Sequence, residues 1–123
     1  MKENLRDIRL KIRLEFPDGQ VFGPGKADLL RHISDSGSIA AASRQMGMSY
    51  KRAWTLVSEM NALFANPLVK QNRGGKSGGG AALTADGSEV LRLYDAMLRK
   101  APAATSNEIA ELIGRTIDIS GEK

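Results

Sequence analysis

Residues 8–16, IRLKIRLEF, alternate strictly between apolar and charged positions. Ile8, Leu10, Ile12, Leu14 and Phe16 share one face, and Arg9, Lys11, Arg13 and Glu15 the other, which predicts a half-buried strand. Pro17-Asp18-Gly19 predicts a turn, and Gln20-Val21-Phe22 a short return strand. After Gly23-Pro24-Gly25 the period changes. A helix is expected from about Lys26 to Asp35, with Leu29, Leu30 and Ile33 as its apolar stripe and Gly37 as its C-terminal cap. Ser38 caps a second helix over residues 39–46, and Gly47-Met48 forms a turn. Ser49 caps a third helix, about Tyr50 to Ala65, with Ala53, Leu56, Val57, Met60 and Phe64 at helical spacing; Asn66-Pro67 ends it.

Leu68-Val69-Lys70 begins an extended piece, and AALT at 81–84 can pair with it across a tip in which five glycines fill the seven positions 74–80. Thr84 opens a fourth helix, with Asp86 and Glu89 suiting its positive N-terminal end. Val90, Leu91, Tyr94, Met97 and Leu98 form its stripe, and Leu93 widens it. Pro102 is expected to interrupt it. Thr105 and Glu108 fit a capping box for a fifth helix carrying Ile109, Leu112 and Ile113, and the tail from Ser120 is expected to fray. The fold class is therefore mainly α with a small β wing, an α+β arrangement. The chain reads as a single domain over 1–123: an N-terminal strand or hairpin over 1–22, a core over 24–84 and long C-terminal helices over 84–117.

Length and composition narrow the function. At 123 residues the chain has room for about one core, and 41% hydrophobic with 26% charged residues is ordinary globular composition. Its N-terminus, MKENLRDIRL, carries acids and lacks the apolar core of a signal peptide, no apolar run is long enough to span a membrane, and a cytoplasmic address is expected. There are no cysteines, which excludes disulfides and thiolate metal sites. A Ser-His-Asp triad would have to use the one histidine, His32, which reads as a partly exposed helix residue. No catalytic residue, metal site or cofactor is expected, and an enzyme is not the reading.

The net charge of +4 is unevenly spread. From Ser38 to Ala85 the basic residues are Arg44, Lys51, Arg52, Lys70, Arg73 and Lys76, and the one acid is Glu59. A block of one sign points either to an anionic partner or to a solvated basic face. The unit from Ser38 to Ala65 has the build of a helix-turn-helix, with small Ser43 at the helix crossing and Gly47 in the turn; Ala42, Met46, Met48, Ala53 and Leu56 form its interior. Taken alone, this pattern also fits a plain helical hairpin. Its second helix opens Ser49-Tyr50-Lys51-Arg52, the positions from which a recognition helix reaches base edges. Trp54 can pack on the domain or touch sugar and phosphate. Gly75-Lys76-Ser77 imitates the end of a phosphate-binding loop, but that motif needs a glycine where Lys70 stands and a helix straight after Ser77. The better reading is a wing whose tip carries Arg73 and Lys76 along a DNA backbone, with a plain surface loop as the alternative.

The order of elements, with GSIAAASRQMGMSYKRAW at 37–54, EMN at 59–61, RGGKSGGGAALTADG at 73–87 and LRLYD at 91–95, resembles a LysR-type winged helix and, more specifically, the N-terminal domain of the molybdate-responsive regulator family, ModE. The resemblance covers roughly residues 8–100. It implies a dimeric, sequence-specific DNA-binding transcription regulator. Double-stranded DNA would be contacted by Ser49, Tyr50, Lys51, Arg52, Arg44, Arg73 and Lys76. Dimerisation is implied through the long fourth helix, with Leu91, Tyr94, Met97, Leu98 and Leu112 at the interface. Full-length members carry a C-terminal molybdate-binding module of well over a hundred residues. No such site fits the last twenty residues, so molybdate binding is not expected here and a stand-alone DNA-binding unit is. The alternative is a winged-helix protein-interaction module, or a partner-dependent regulator without its own DNA target.

Overall fold

The computed structural model describes residues 8–72 and 80–116. The expectations for the glycine-rich tip, including Arg73 and Lys76, and for the tail from Ser120 lie outside the described residues. In chain order the elements are β1 (Leu14–Glu15), β2 (Val21–Phe22), α1 (Pro24–Ser36), α2 (Ile39–Gln45), α3 (Tyr50–Leu63), β3 (Val69–Asn72), β4 (Gly80–Leu83), α4 (Ala85–Ala104) and α5 (Ser106–Gly114). Among the described residues, five helices and two antiparallel strand pairs make a winged helix-turn-helix of the α+β class.

Only the end of the alternating N-terminal stretch is strand. Leu14 pairs with Phe22 and Glu15 with Val21. The partner strand stops there, because Gly23 and Pro24 turn the chain into α1. Residues 8–13 are not strand, and Ile8 and Leu10 stand exposed. The alternation survives in burial: Ile12, Leu14 and Phe16 are half-buried, Arg13 and Glu15 exposed.

Local chemistry fixes the helix ends. Pro24 occupies the first turn of α1, where a missing N–H costs nothing. Gly37 closes α1 in the left-handed region at φ 76°, its N–H donating to the Ile33 carbonyl at 2.8 Å. The Ser38 hydroxyl accepts from the Ala41 N–H at 2.9 Å and so caps α2.

Residues 13–94 form one compact unit. Its core is built on Phe22, Leu29, Leu30, Ile33, Val57, Met60, Leu68 and Tyr94, all fully buried. An edge-to-face aromatic chain runs through it, Phe16 to Phe64 to Phe22 to Tyr94, with ring centres 6.2, 6.0 and 5.3 Å apart. This unit is wider than 24–84: it takes in the β1–β2 hairpin and the first half of α4.

Tyr94 stands on the apolar stripe of α4 and, at 1% exposure, packs into the intramolecular core against Phe22. Leu93, next to it, is 49% exposed.

The remaining described residues, 8–12 and 95–116, belong to a second compact unit. Pro102 does not interrupt α4, which continues to Ala104. The proline lies in the last turn, and Thr105 closes that turn by donating both its N–H (3.1 Å) and its hydroxyl (2.7 Å) to the Ala101 carbonyl. That use of the Thr105 hydroxyl also removes the expected capping box: its side chain makes no cap bond to α5. No helix among the described residues is long and apolar enough to cross a membrane.

Candidate nucleic-acid interface

Three short features set the geometry of α2 and α3. Ser43, 2% exposed, lies where the helices cross, and its hydroxyl is satisfied by donating to the Ala40 carbonyl at 2.7 Å. Gly47 takes φ 68°, which an L side chain rarely adopts, and lets the chain reverse. The Met48 N–H then donates to the Ser43 carbonyl at 3.0 Å, closing the turn. Ala42, Ala53, Leu56, Val57 and Met60 are buried, and Met46 and Met48 half-buried.

The Ser49 hydroxyl accepts from the Arg52 N–H at 3.0 Å and caps α3. The first turn of α3 contains no acid. It presents Tyr50 (49% exposed), Lys51 and Arg52 to solvent. The positive end of the helix dipole adds to those cations. Arg44, in the last turn of α2, is also exposed. The one acid of the basic block is neutralised locally: Lys26 Nζ lies 3.2 Å from Glu59 Oε1 and also donates to the Val21 carbonyl at 2.7 Å. The exposed end of α3 is thus left with one sign of charge.

Trp54 is half-buried, and its ring meets Tyr50 edge-to-face at 6.3 Å. Shallow depressions flank α3. Gln20, Lys51, Trp54, Thr55, Ser58 and Glu59 line one. Arg13, Gly23, Gly25, Met48, Arg52 and Leu56 line the other.

The wing is held at its root. Val69 pairs with Leu83 and Asn72 with Gly80, so the strands are in register up to the tip. Asn61, on α3, accepts at Oδ1 from the N–H groups of Leu68 (2.8 Å) and Val69 (3.1 Å) and donates from Nδ2 to the Val69 carbonyl (3.1 Å). Thr84 donates its hydroxyl to the Pro67 carbonyl at 2.7 Å while accepting from the Gly87 N–H at 3.0 Å. On the returning strand, the Ala81 N–H donates to the Gly37 carbonyl at 2.9 Å.

Ser49, Tyr50, Lys51 and Arg52 therefore share the exposed first turn of α3, with Arg44 on the preceding helix. Arg73 and Lys76 lie outside the described residues. Leu91, Met97 and Leu98 are half-buried on α4, and Leu112 on α5 is 64% exposed. Sequence reasoning did not place Arg13 or Gln20 beside α3, because periodicity gives the face of a strand and not its neighbour. It also left Asn61 without a task, although EMN stood out as a motif. The signal was a polar residue at the end of an apolar helical stripe, just before an extended piece whose backbone needed partners.

These features are those of a DNA-binding winged helix, and a family model agrees. The model described as bacterial regulatory helix-turn-helix protein, lysR family, matches residues 26–88, from α1 through the wing into α4. The chain belongs to that family. Members are DNA-binding regulators and not enzymes. The chain is 47% identical over 72 residues to the DNA-binding transcriptional dual regulator ModE of Escherichia coli (strain K12), covering 58% of this chain and 28% of that protein. It is 46% identical over 79 residues to the molybdenum-pterin-binding protein MopB of Rhodobacter capsulatus, covering 64% and 29%. It is 34% identical over 95 residues to the transcriptional regulator ModE of Haemophilus influenzae, covering 77% and 37%. The chain thus spans about a third of the length of the curated relatives it matches.

Proposed function

We propose that this lysR-family chain is a sequence-specific regulator that binds duplex DNA as a dimer and represses by occupying a promoter. The observation that carries the reading is the first turn of α3: capped by Ser49, free of acid, and exposing Tyr50, Lys51 and Arg52 together. Lys51 and Arg52 are the base readers in this proposal. Arg44 and the wing cations Arg73 and Lys76 hold the backbone, and Ser49 orders the helix end that carries the readers. The dimer face uses Leu91, Met97, Leu98 and Leu112, supported by the exposed apolar surface of Leu93 and Leu112. A twofold dimer calls for a pseudo-palindromic site with half-sites a whole number of helical turns apart. The action is expected in the cytoplasm. Molybdate sensing is not assigned to residues 8–116.

The test is fluorescence anisotropy against promoter fragments, at several salt concentrations, with and without molybdate. Tight, salt-sensitive binding to one fragment over competitor, abolished by Lys51→Ala with Arg52→Ala in a protein that stays folded, is the expected result. Equal, weak binding to every fragment would sink the specific-regulator reading in favour of a partner-dependent module. A promoter–reporter assay reads the sign of regulation, and activation rather than loss of output overturns repression.

A further inference from the structure

We propose that the β1–β2 hairpin is a second DNA-contacting element, in which Arg13 pairs with a phosphate of the strand that runs past the Arg52 side of α3. The inference rests on the DNA-reading assignment of α3 and deepens it by naming a contact outside both the helix-turn-helix and the wing.

Arg13 and Arg52 line the same shallow depression from opposite elements, the hairpin and the first turn of α3. Its other lining residues include Gly23, Pro24 and Gly25, where α1 begins, and no carboxylate lines it. Lys26 also lines it, but its ammonium is engaged by Glu59 and the Val21 carbonyl. The two guanidinium groups therefore set the character of the rim, and their partner is a polyanion. The floor is open: a Cβ added at Gly25 would meet nothing within 4 Å. A sugar–phosphate chain can approach it without displacing a side chain.

The hairpin is fixed well enough to position Arg13. Phe22, paired to Leu14, is buried against Phe64 and Tyr94, and Phe16 packs on Phe64. Arg13 stands on the solvent side of the alternation, and its Nε lies 3.2 Å from Glu15 Oε2. Both side chains are mostly exposed, and ion pairs of that kind are weak. A phosphate can take the place of Glu15, with bidentate geometry that a carboxylate two residues away on a strand does not dictate.

Salt dependence of binding tests the contact. Each phosphate neutralised contributes about 0.9 to the slope of log affinity against log salt. Arg13→Ala should lower that slope by about one contact, so the wild type loses about 3.5-fold more affinity than the variant between about 50 and about 200 mM salt. Operator and random duplex should weaken by the same factor, since a phosphate carries no sequence. Gly25→Leu, which fills the depression from an unstrained helical position, should weaken both duplexes with an unchanged urea midpoint. Arg92→Ala, the same charge change outside the depression, is the control. A slope for Arg13→Ala equal to the wild type overturns the proposal, and so does an equal loss for Arg92→Ala. Wild-type protein with no salt-sensitive DNA binding removes the α3 reading itself, and this inference with it. Loss of binding on changing Lys51 and Arg52, with Arg13→Ala silent, removes the hairpin contact alone.

Discussion

Asn61 and Val69 are bonded twice: Nδ2 donates to the Val69 carbonyl and Oδ1 accepts from its N–H, each at 3.1 Å. A third bond to the Leu68 N–H makes one α3 side chain the anchor of the first wing strand. Leu68 and Val69 are buried, so water cannot replace a lost partner. Asn61→Ala should destabilise the fold by about 1–3 kcal/mol, the cost of stranding buried backbone groups. Urea denaturation measures it. Amide exchange should quicken first at Leu68 and Val69, and equal protection there in the variant contradicts the anchor.

Gly87 in α4 sits against the same stretch of chain. A Cβ at this position would lie 2.1 Å from the Leu68 carbonyl oxygen and 3.0 Å from its carbon. Helix propensity alone favours Gly87→Ala by about 1 kcal/mol. The clash is with backbone that Asn61 holds in place, so the sign reverses. The variant should lose stability, by roughly 1–3 kcal/mol as for other overpacked sites. A rise in the urea midpoint would show that the helix can move away from Leu68.

What the sequence discloses about this fold is its local chemistry. Ser38, Gly37, Gly47 and Ser49 act within four residues of themselves, and each caps or turns where its type and neighbours say it should. The stretch 8–16 was misleading because a strand depends on a partner, and β2 ends at Phe22. Thr105 has the identity and spacing of a cap but bonds backwards to Ala101, a choice between two nearby backbone groups that spacing does not decide. Tyr94 and Leu93 both belong to an apolar helix surface, and only packing reveals which of them fills the core. Of the candidate site, the exposed turn of α3 was legible. Its flank at Arg13 depends on a contact between elements far apart in the chain.

The Glu89 carboxyl is held below its usual value, chiefly by the hydrogen bond from Arg92 and also by its charge. The folded value is depressed, so the pairing favours the folded state above the unfolded carboxyl value and is lost as pH falls through the folded one. Both side chains are mostly exposed, so the effect on stability is slight. The titration itself is the better readout. In Arg92→Ala the Glu89 carboxyl resonance should titrate at higher pH than in the wild type, and an unchanged midpoint contradicts the pairing.

Leu112 is the most exposed large apolar side chain among the described residues, and Leu93 is half exposed. Neither supports the core, so Leu112→Glu and Leu93→Glu should change the stability of the single folded chain by no more than about 0.5 kcal/mol. If these helices carry the dimer, sedimentation equilibrium should show each variant shifted towards monomer. Dimers of undiminished strength in both variants would place the interface elsewhere.

The two legs of the wing are pinned to different parts of the fold, β3 to α3 through Asn61 and β4 to the end of α1 through Gly37. Asn72 and Gly80 consequently stand at a fixed separation whatever the chain between them contains. That makes the interval an interchangeable part. Closing a loop between fixed ends grows costlier only with the logarithm of its length, so doubling it costs about 0.6 kcal/mol. A lineage, or a designer, can lengthen, recharge or replace that interval while β3, β4 and α3 keep their places.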